Sequence, residues 1–235
     1  MPSLSISFPA WNEEANIGKA IQDAVRVASK LTDDFEIVVV DDGSTDHTAD
    51  VVHECATEFP QVRLIRHEVN QGYGAAVFDG LVGGSKEWAF FTDSDLQFVL
   101  DELERLWALQ DQADLIIGYR APRRDSLIRK INGLGWTWLT NVLFGYVSRD
   151  VDCAFKLMSR EAVNTVAPHV SSRGATLSAE FLVRAKRMGF TFKEAPVSHL
   201  PRRAGSQTGA KLNVILRAFW EMFWFRLKLW REKAQ

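Results

Sequence analysis

Residues 35–42, FEIVVVDD, restrict the fold more than any other stretch. Glu36 apart, they form an apolar run, rich in β-branched residues, that ends abruptly in two acids and the turn residues GSTD. A strand with one face in water alternates polar and apolar positions, whereas a run that is apolar throughout is buried on both faces. Such burial needs helices above and below, the architecture of a parallel sheet. The first half of the chain repeats this pattern. LSISF (4–8), VRLIRH, WAFFTD and ADLIIGYR read as further strands. Between them lie segments with helical spacing: residues 12–31 with Ile17, Ile21, Ala24, Val25 and Ala28, then HTADVVHECATEF, GAAVFDGLVGG and LDELERLWALQ. Strands alternating with helices at this period predict an α/β fold, a mostly parallel central sheet flanked by helices.

Ligands of such a sheet bind beyond the carboxyl ends of its strands. Polar signals fall at those places: PAWNEE, DDGSTD, NQGYGAA, DSDLQ and GYR follow strands one to five. Each alone is weak, but five on one rim predict a site. In FFTDSDLQF, Asp93, Asp95 and Gln97 occupy alternate positions. On an extended strand these would line one face. Two carboxylates and an amide suit a hard divalent cation that completes its shell with water and phosphate oxygens. The glycines of NQGYGAA allow close approach of backbone to a ligand, but neither a P-loop nor a dinucleotide glycine fingerprint is present.

The remaining composition sets bounds. With 235 residues one core suffices, and a net charge of −2 carries no footprint of nucleic-acid binding. Cys55 and Cys153 have no metal-ligand spacing and read as packed, reduced thiols. The N-terminus lacks a secretory pattern, so a cytoplasmic location is expected. The stretch 131–148 is uncharged but interrupted by Gly133, Gly135, Asn132 and Asn141, and reads as a buried or interfacial helix instead of a span. After residue 120 the pattern changes, with Arg120, Arg123, Arg124, Arg129 and Lys130 set against Asp125 alone. On a helical wheel the tail 211–231 puts Asn213, Arg217, Glu221, Lys228 and Arg231 on one narrow stripe, with Leu, Ile, Phe and Trp over most of the remaining surface, a pattern for a membrane interface or for packing.

Taken together, these motifs resemble the inverting, metal-dependent nucleotide-sugar glycosyltransferases of family 2, in the dolichyl-phosphate mannose synthase-like, polyprenyl-phosphate branch, from about residue 4 to 209. The resemblance implies a Rossmann-like, GT-A type catalytic domain over residues 1–210, with 211–235 as an appended amphipathic, aromatic-rich helix. It implies that Pro9, Trp11, Glu13, Asp41 and Asp42 hold the nucleoside, Trp11 standing where Tyr is common. Asp93, Asp95 and Gln97 would bind Mg²⁺ or Mn²⁺ against the sugar diphosphate, making Asp93 a donor-site residue and Asp95 a catalytic one. Arg120 matches the arginine of the G-x-R segment that meets the acceptor phosphate, and Arg124 the second, with Arg129 as the alternative. In PRRAGSQTG, Arg202 matches a diphosphate ligand, while Thr208 replaces the usual Lys. DVDCAFKL matches D-x-x-x-G-F-[KR], with Asp152 near the acceptor and Ala154 in place of Gly.

Relatives that glycosylate hydroxyls use a Glu-Asp pair on a late helix; LSAEFLVRA has Glu180 with no Asp beside it. A phosphate acceptor is already anionic and needs no base. The expected reaction is therefore hexose transfer from a GDP- or UDP-sugar to polyprenyl (dolichyl or undecaprenyl) phosphate, by a protein peripheral to the inner face of a membrane. The alternatives are a hydroxyl acceptor with Glu180 as base, and a nucleotide-sugar-binding protein without catalysis. His199 is either close to the acceptor phosphate or purely structural.

Overall fold

The computed structural model describes residues 1–121, 127–201 and 212–232, with side chains described in all of these except 127–132 and 212–218. Seven strands form one sheet: β1 (Leu4–Ala10), β2 (Phe35–Asp41), β3 (Val62–Arg66), β4 (Trp88–Thr92), β5 (Leu115–Arg120), β6 (Phe155–Ser159) and β7 (Phe192–Val197). Their order is β3-β2-β1-β4-β6-β5-β7. All neighbours run parallel except at β6, which is antiparallel to both β4 and β5. Every residue of β1 and of β2 is buried, as the apolar run over 35–41 requires.

Among the described residues eight helices cover the sheet: α1 (Ile17–Leu31), α2 (Thr48–Glu58), α3 (Tyr73–Gly83), α4 (Leu103–Trp107), α5 (Leu127–Phe144), α6 (Arg160–Val166), α7 (Leu177–Arg187) and α8 (Leu212–Glu232). One apolar layer joins the sheet to α1, α2 and α4, with Ile17, Ile21, Ala24 and Ala28 on the inner stripe of α1. The other joins it to α3, α6, α7 and α8. The helix expected over LDELERLWALQ is broken into a 3-10 turn at Leu100–Glu102, the short α4, and a second 3-10 turn at Gln110–Gln112. Its buried residues Leu100, Leu103, Leu106 and Trp107 keep the inward face through the break.

Glu36 is the one carboxylate buried within β2 before its acidic end. It accepts from the hydroxyl of Ser5 (2.7 Å), from Arg63 Nε (2.9 Å) and from both the N–H and hydroxyl of Ser85. Burial opposes its ionisation, but these donors outweigh it and hold the carboxyl down at about 2.

α8 serves two surfaces. Met222, Phe225 and Leu229 are buried against α5 and α7, Phe225 stacking on Phe144 with centroids 5.1 Å apart. Its polar groups grip the preceding segment: Thr176 donates to Glu221 at 2.8 Å, Lys228 to Ser171 at 3.2 Å, and Arg184 to both oxygens of Glu232 at 3.2 Å. Phe219, Trp220, Phe223, Trp224 and Trp230 remain exposed, and Leu134, Trp138 and Val142 form an exposed stripe on α5. The side chains of Asn213 and Arg217 lie outside the described residues. Among the described residues no helix is long and apolar enough to cross a membrane. Both cysteines are free and buried.

Candidate functional site

The site is built on the carboxyl edge of β1, β2 and β4. After β1, the PAWNEE segment is stitched to the DDGSTD turn that follows β2. Asn12, at φ 55, donates its N–H to Ser44 (2.9 Å) and accepts from the Thr45 N–H (2.9 Å); the Glu13 N–H donates to Thr48 (2.9 Å). Pro9 is buried and its carbonyl accepts from the Ser94 hydroxyl at 3.0 Å, tying strand one to the acidic turn after β4. Trp11 is 44% exposed, its ring available to a flat ligand, while Glu13 is buried and accepts from Asn16 at 2.6 Å. Gly43 sits at φ +69 with the backbone of Val69 and Asn70 so near that a Cβ would approach Asn70 N to 2.6 Å. No other residue type fits there without moving one of the two turns.

The two acids ending β2 do different work. Asp41 is fully buried; one oxygen accepts from the Ser44 N–H at 2.9 Å, and the other has no aligned hydrogen-bond donor, Arg66 Nε lying 3.2 Å away. Asp42, expected beside it at the nucleoside, faces the third turn in this structure. It accepts from the N–H groups of Gln71 and Gly72, both at 2.8 Å, and pairs with His67 at 2.7 Å, whose other nitrogen lies 3.0 Å from Asp79. Its carboxylate is thus an anchor for the NQGYG turn, and the physical reason is the cluster of otherwise unpartnered N–H groups ahead of α3.

The alternation argument for residues 93–97 does not hold in its details. β4 ends at Thr92 and the chain turns, with Leu96 at φ 60. Within that turn Asp93 and Asp95 lie close enough for their charges to interact. Asp95 is buried and accepts from the Gln97 N–H at 3.1 Å; Gln97 is buried, and its amide nitrogen donates to the Leu200 carbonyl at 2.9 Å. Asp93 Oδ1 accepts from the Tyr73 hydroxyl at 2.7 Å. Low-dielectric surroundings, with Asp95 close by, push the Asp93 carboxyl up to about 6, against the opposing pull of Tyr73, Arg120 and Lys156. Among the described residues no three His, Cys, Asp or Glu side chains are grouped to hold a metal ion by themselves. Two carboxylates with the remaining positions left open fit Mg²⁺ or Mn²⁺ shared with phosphate oxygens better than an all-protein cage.

Arg120, predicted to meet an acceptor phosphate, closes β5 and is held by Asp150: Nε to Oδ2 and Nη2 to Oδ1 are both 2.7 Å, and each side chain is 6% exposed. Asp150 lies in the turn that leads into β6, where the Cys153 N–H bonds the Asp150 carbonyl at 3.1 Å. Lys156 is buried in β6, donates to the Cys153 carbonyl and lies 5.1 Å from the Phe91 ring; burial pulls its pKa down. Asp152 is exposed on the same turn. Arg123, Arg124 and Arg202 fall outside the described residues, as do the side chains of Arg129 and Lys130. His199 is buried, bridges to Phe98 and packs edge-on against its ring at 5.2 Å. Glu180 is buried and fixed by the N–H groups of Ser171 (3.1 Å) and Ser172 (2.8 Å) and by Arg184 Nε (2.9 Å). A carboxylate so saturated is a strut.

A model of glycosyl transferase family 2 matches residues 5–166, which carry nearly all of β1, β2 through β6 and the turns after β1, β2, β3 and β4. The chain belongs to glycosyl transferase family 2. Among its curated relatives, dolichyl-phosphate beta-glucosyltransferase ALG5A of Trichomonas vaginalis is 31% identical over 209 residues, covering 83% of this chain and 64% of its own length. The dolichyl-phosphate beta-glucosyltransferase of Saccharomyces cerevisiae is 28% identical over 221 residues, covering 83% of this chain and 66% of its own. This family 2 chain thus spans a little under two thirds of those relatives. In fold it is similar to glucosyl-3-phosphoglycerate synthase from Mycobacterium tuberculosis in complex with Mn²⁺, UDP and phosphoglyceric acid, with a TM-score of 0.73 at 18% identity over 96% of this chain and 78% of that one. The same synthase in complex with Mn²⁺ and UDP-glucose aligns with a TM-score of 0.68 at 18% identity, over 96% of this chain and 79% of that one. The expected GT-A type fold and membership of glycosyl transferase family 2 therefore both hold, and the relatives lie close to the expected dolichyl-phosphate branch.

Tyr73, Asp150 and Lys156 belong to the site and were not singled out in the sequence. Each had a signal: Tyr73 stands inside NQGYGAA, and Asp150 and Lys156 occupy the first Asp and the [KR] position of the D-x-x-x-G-F-[KR] element that DVDCAFKL matches.

Proposed function

We propose that this protein is a metal-dependent, inverting glycosyltransferase that moves glucose from UDP-glucose onto a polyprenyl phosphate at a membrane surface. The observation that carries this reading is the meeting, on one sheet edge, of a buried Asp41 oxygen lacking an aligned donor with the Asp93–Asp95 pair. The names of the relatives support the sugar and the lipid phosphate.

In this reading the base lies against Trp11 and offers an N–H to Asp41, with Pro9 and Glu13 shaping the pocket floor. Asp93, Asp95 and the carbonyl oxygen of Gln97 hold Mg²⁺ or Mn²⁺, which when bound neutralises charge developing on the departing diphosphate. A phosphate oxygen of the acceptor attacks the anomeric carbon, the bond from that carbon to the β-phosphate oxygen breaks, and its electron pair leaves with UDP. No proton has to be removed from an ionised phosphate, so Glu180 can remain a strut. Arg120 supplies positive charge from behind its Asp150 clamp, with Arg124 and Arg202 as the remaining acceptor and diphosphate ligands. The outward aromatics of α5 and α8, with Arg226, Lys228 and Arg231 exposed nearby, suit the interfacial zone of an anionic membrane.

The test is transfer of radiolabel from UDP-glucose, and separately GDP-mannose, into organic-extractable product with dolichyl or undecaprenyl phosphate, with and without Mg²⁺. Metal-dependent, acid-labile glucosyl lipid is the expected result. Donor hydrolysis without labelled lipid would move a hydroxyl acceptor ahead.

A further inference from the structure

We propose that Tyr73 is a positioning residue that fixes the metal-binding carboxylate Asp93, a role resting on the metal site proposed above. Tyr73 is 52% exposed, so burial of its ring does not account for its place. What it does is donate its hydroxyl to Asp93 Oδ1 at 2.7 Å, across the gap between the turn before α3 and the turn after β4. The bond uses Oδ1 alone. Asp93 sits past the end of its strand, where neighbouring backbone no longer restricts its rotamers, and a partner from elsewhere in the fold is needed to hold one.

Tyr73 is itself placed with little freedom. Gly72 precedes it at φ 100, with its N–H held by Asp42 at 2.8 Å and its carbonyl accepting from Ala75 and Ala76. Gly74 follows, so close to the segment before α7 that a Cβ there would lie 2.4 Å from the Gly174 carbonyl oxygen and 2.5 Å from that of Arg173. The hydroxyl is therefore presented from a clamped helix start. A hydrogen bond to a ligating carboxylate is the usual means by which a protein fixes that ligand's orientation, and losing one weakens metal affinity by about 10-fold or more.

Tyr73→Phe removes the hydroxyl and keeps the ring. Mn²⁺ binding to the full chain, in the presence of UDP and again of GDP, would be followed by the loss of the free-ion paramagnetic signal, and urea unfolding in EDTA would be measured alongside. The expected result is an Mn²⁺ affinity lowered about 10-fold with the unfolding midpoint unchanged. Equal Mn²⁺ affinity in the two proteins would overturn the role of Tyr73 and leave the metal site standing. So would a midpoint that falls in step with affinity, since that marks a general structural loss. A wild-type chain that takes up no Mn²⁺ with either nucleotide would remove the metal site and the role of Tyr73 together.

Discussion

Replacing Asp150 by Ala should destabilise the chain by about 3 kcal/mol. The pair it forms with Arg120 is two-pronged, at 2.7 Å for both contacts, and each side chain is 6% exposed. Two unit charges with centres about 4 Å apart at an effective dielectric of about 20 attract by about 4 kcal/mol. Removing one member of such a pair costs roughly 3–5 kcal/mol, because the survivor keeps its desolvation cost without its partner. Both residues make further interactions, which places the loss at the lower end. The assay is urea unfolding at pH 7 of Asp150→Ala, Arg120→Ala and the double variant. Their cycle should give a coupling of about 2 kcal/mol, the double variant being less damaged than the sum of the singles. Additive losses, or less than about 1 kcal/mol for Asp150→Ala, would refute the closed clamp. The Arg120 guanidinium would then be free to turn directly onto a substrate phosphate.

Three other outcomes are expected. Glu36 is held at about 2 against an ordinary 4.5, so the folded state favours its ionised form. Its contribution is full above pH 4.5 and lost as pH falls toward 2, with a ceiling of about 3 kcal/mol; Glu36→Gln should cost about 2 kcal/mol at neutral pH and flatten the acid limb of the stability profile. Asp95→Ala should abolish metal-stimulated glycosyl transfer while leaving the far-ultraviolet circular dichroism intact, and full activity of EDTA-treated wild type would count against the metal site. Serine at Trp220, Phe223 and Trp224 together should reduce sedimentation with anionic vesicles at least tenfold, with an unchanged unfolding midpoint, since all three are exposed. Undiminished sedimentation would move the contact surface elsewhere.

The sheet was legible because burial on both faces leaves a simple trace, as in FEIVVVD, and the turns were legible because glycine and acids gather where strands stop. What escaped was direction and pairing. Nothing in FKLMS says that it enters between β4 and β5 in the opposite sense, since an apolar strand reads the same either way. Asp41 and Asp42 are adjacent and chemically identical, and only the third dimension shows that Asp42 is spent on Gln71, Gly72 and His67. The pleat predicted a common face for Asp93, Asp95 and Gln97; the chain instead turns after Thr92, with Leu96 left-handed, which sequence alternation does not encode. Glu180 could be read as a base in waiting until its donors were counted.

The reversed strand has a consequence for how such a protein can change over time. β5 finishes at Arg120 on the substrate edge, and β6, running the other way, starts at Phe155 on that same edge. The strand before this segment and the strand after it thus open on one edge of the sheet. Lengthening such a detour is thermodynamically mild, about 0.6 kcal/mol for each doubling of a flexible loop. Lineages can therefore lengthen or exchange the segment between β5 and β6 while the order of the sheet stays as it is.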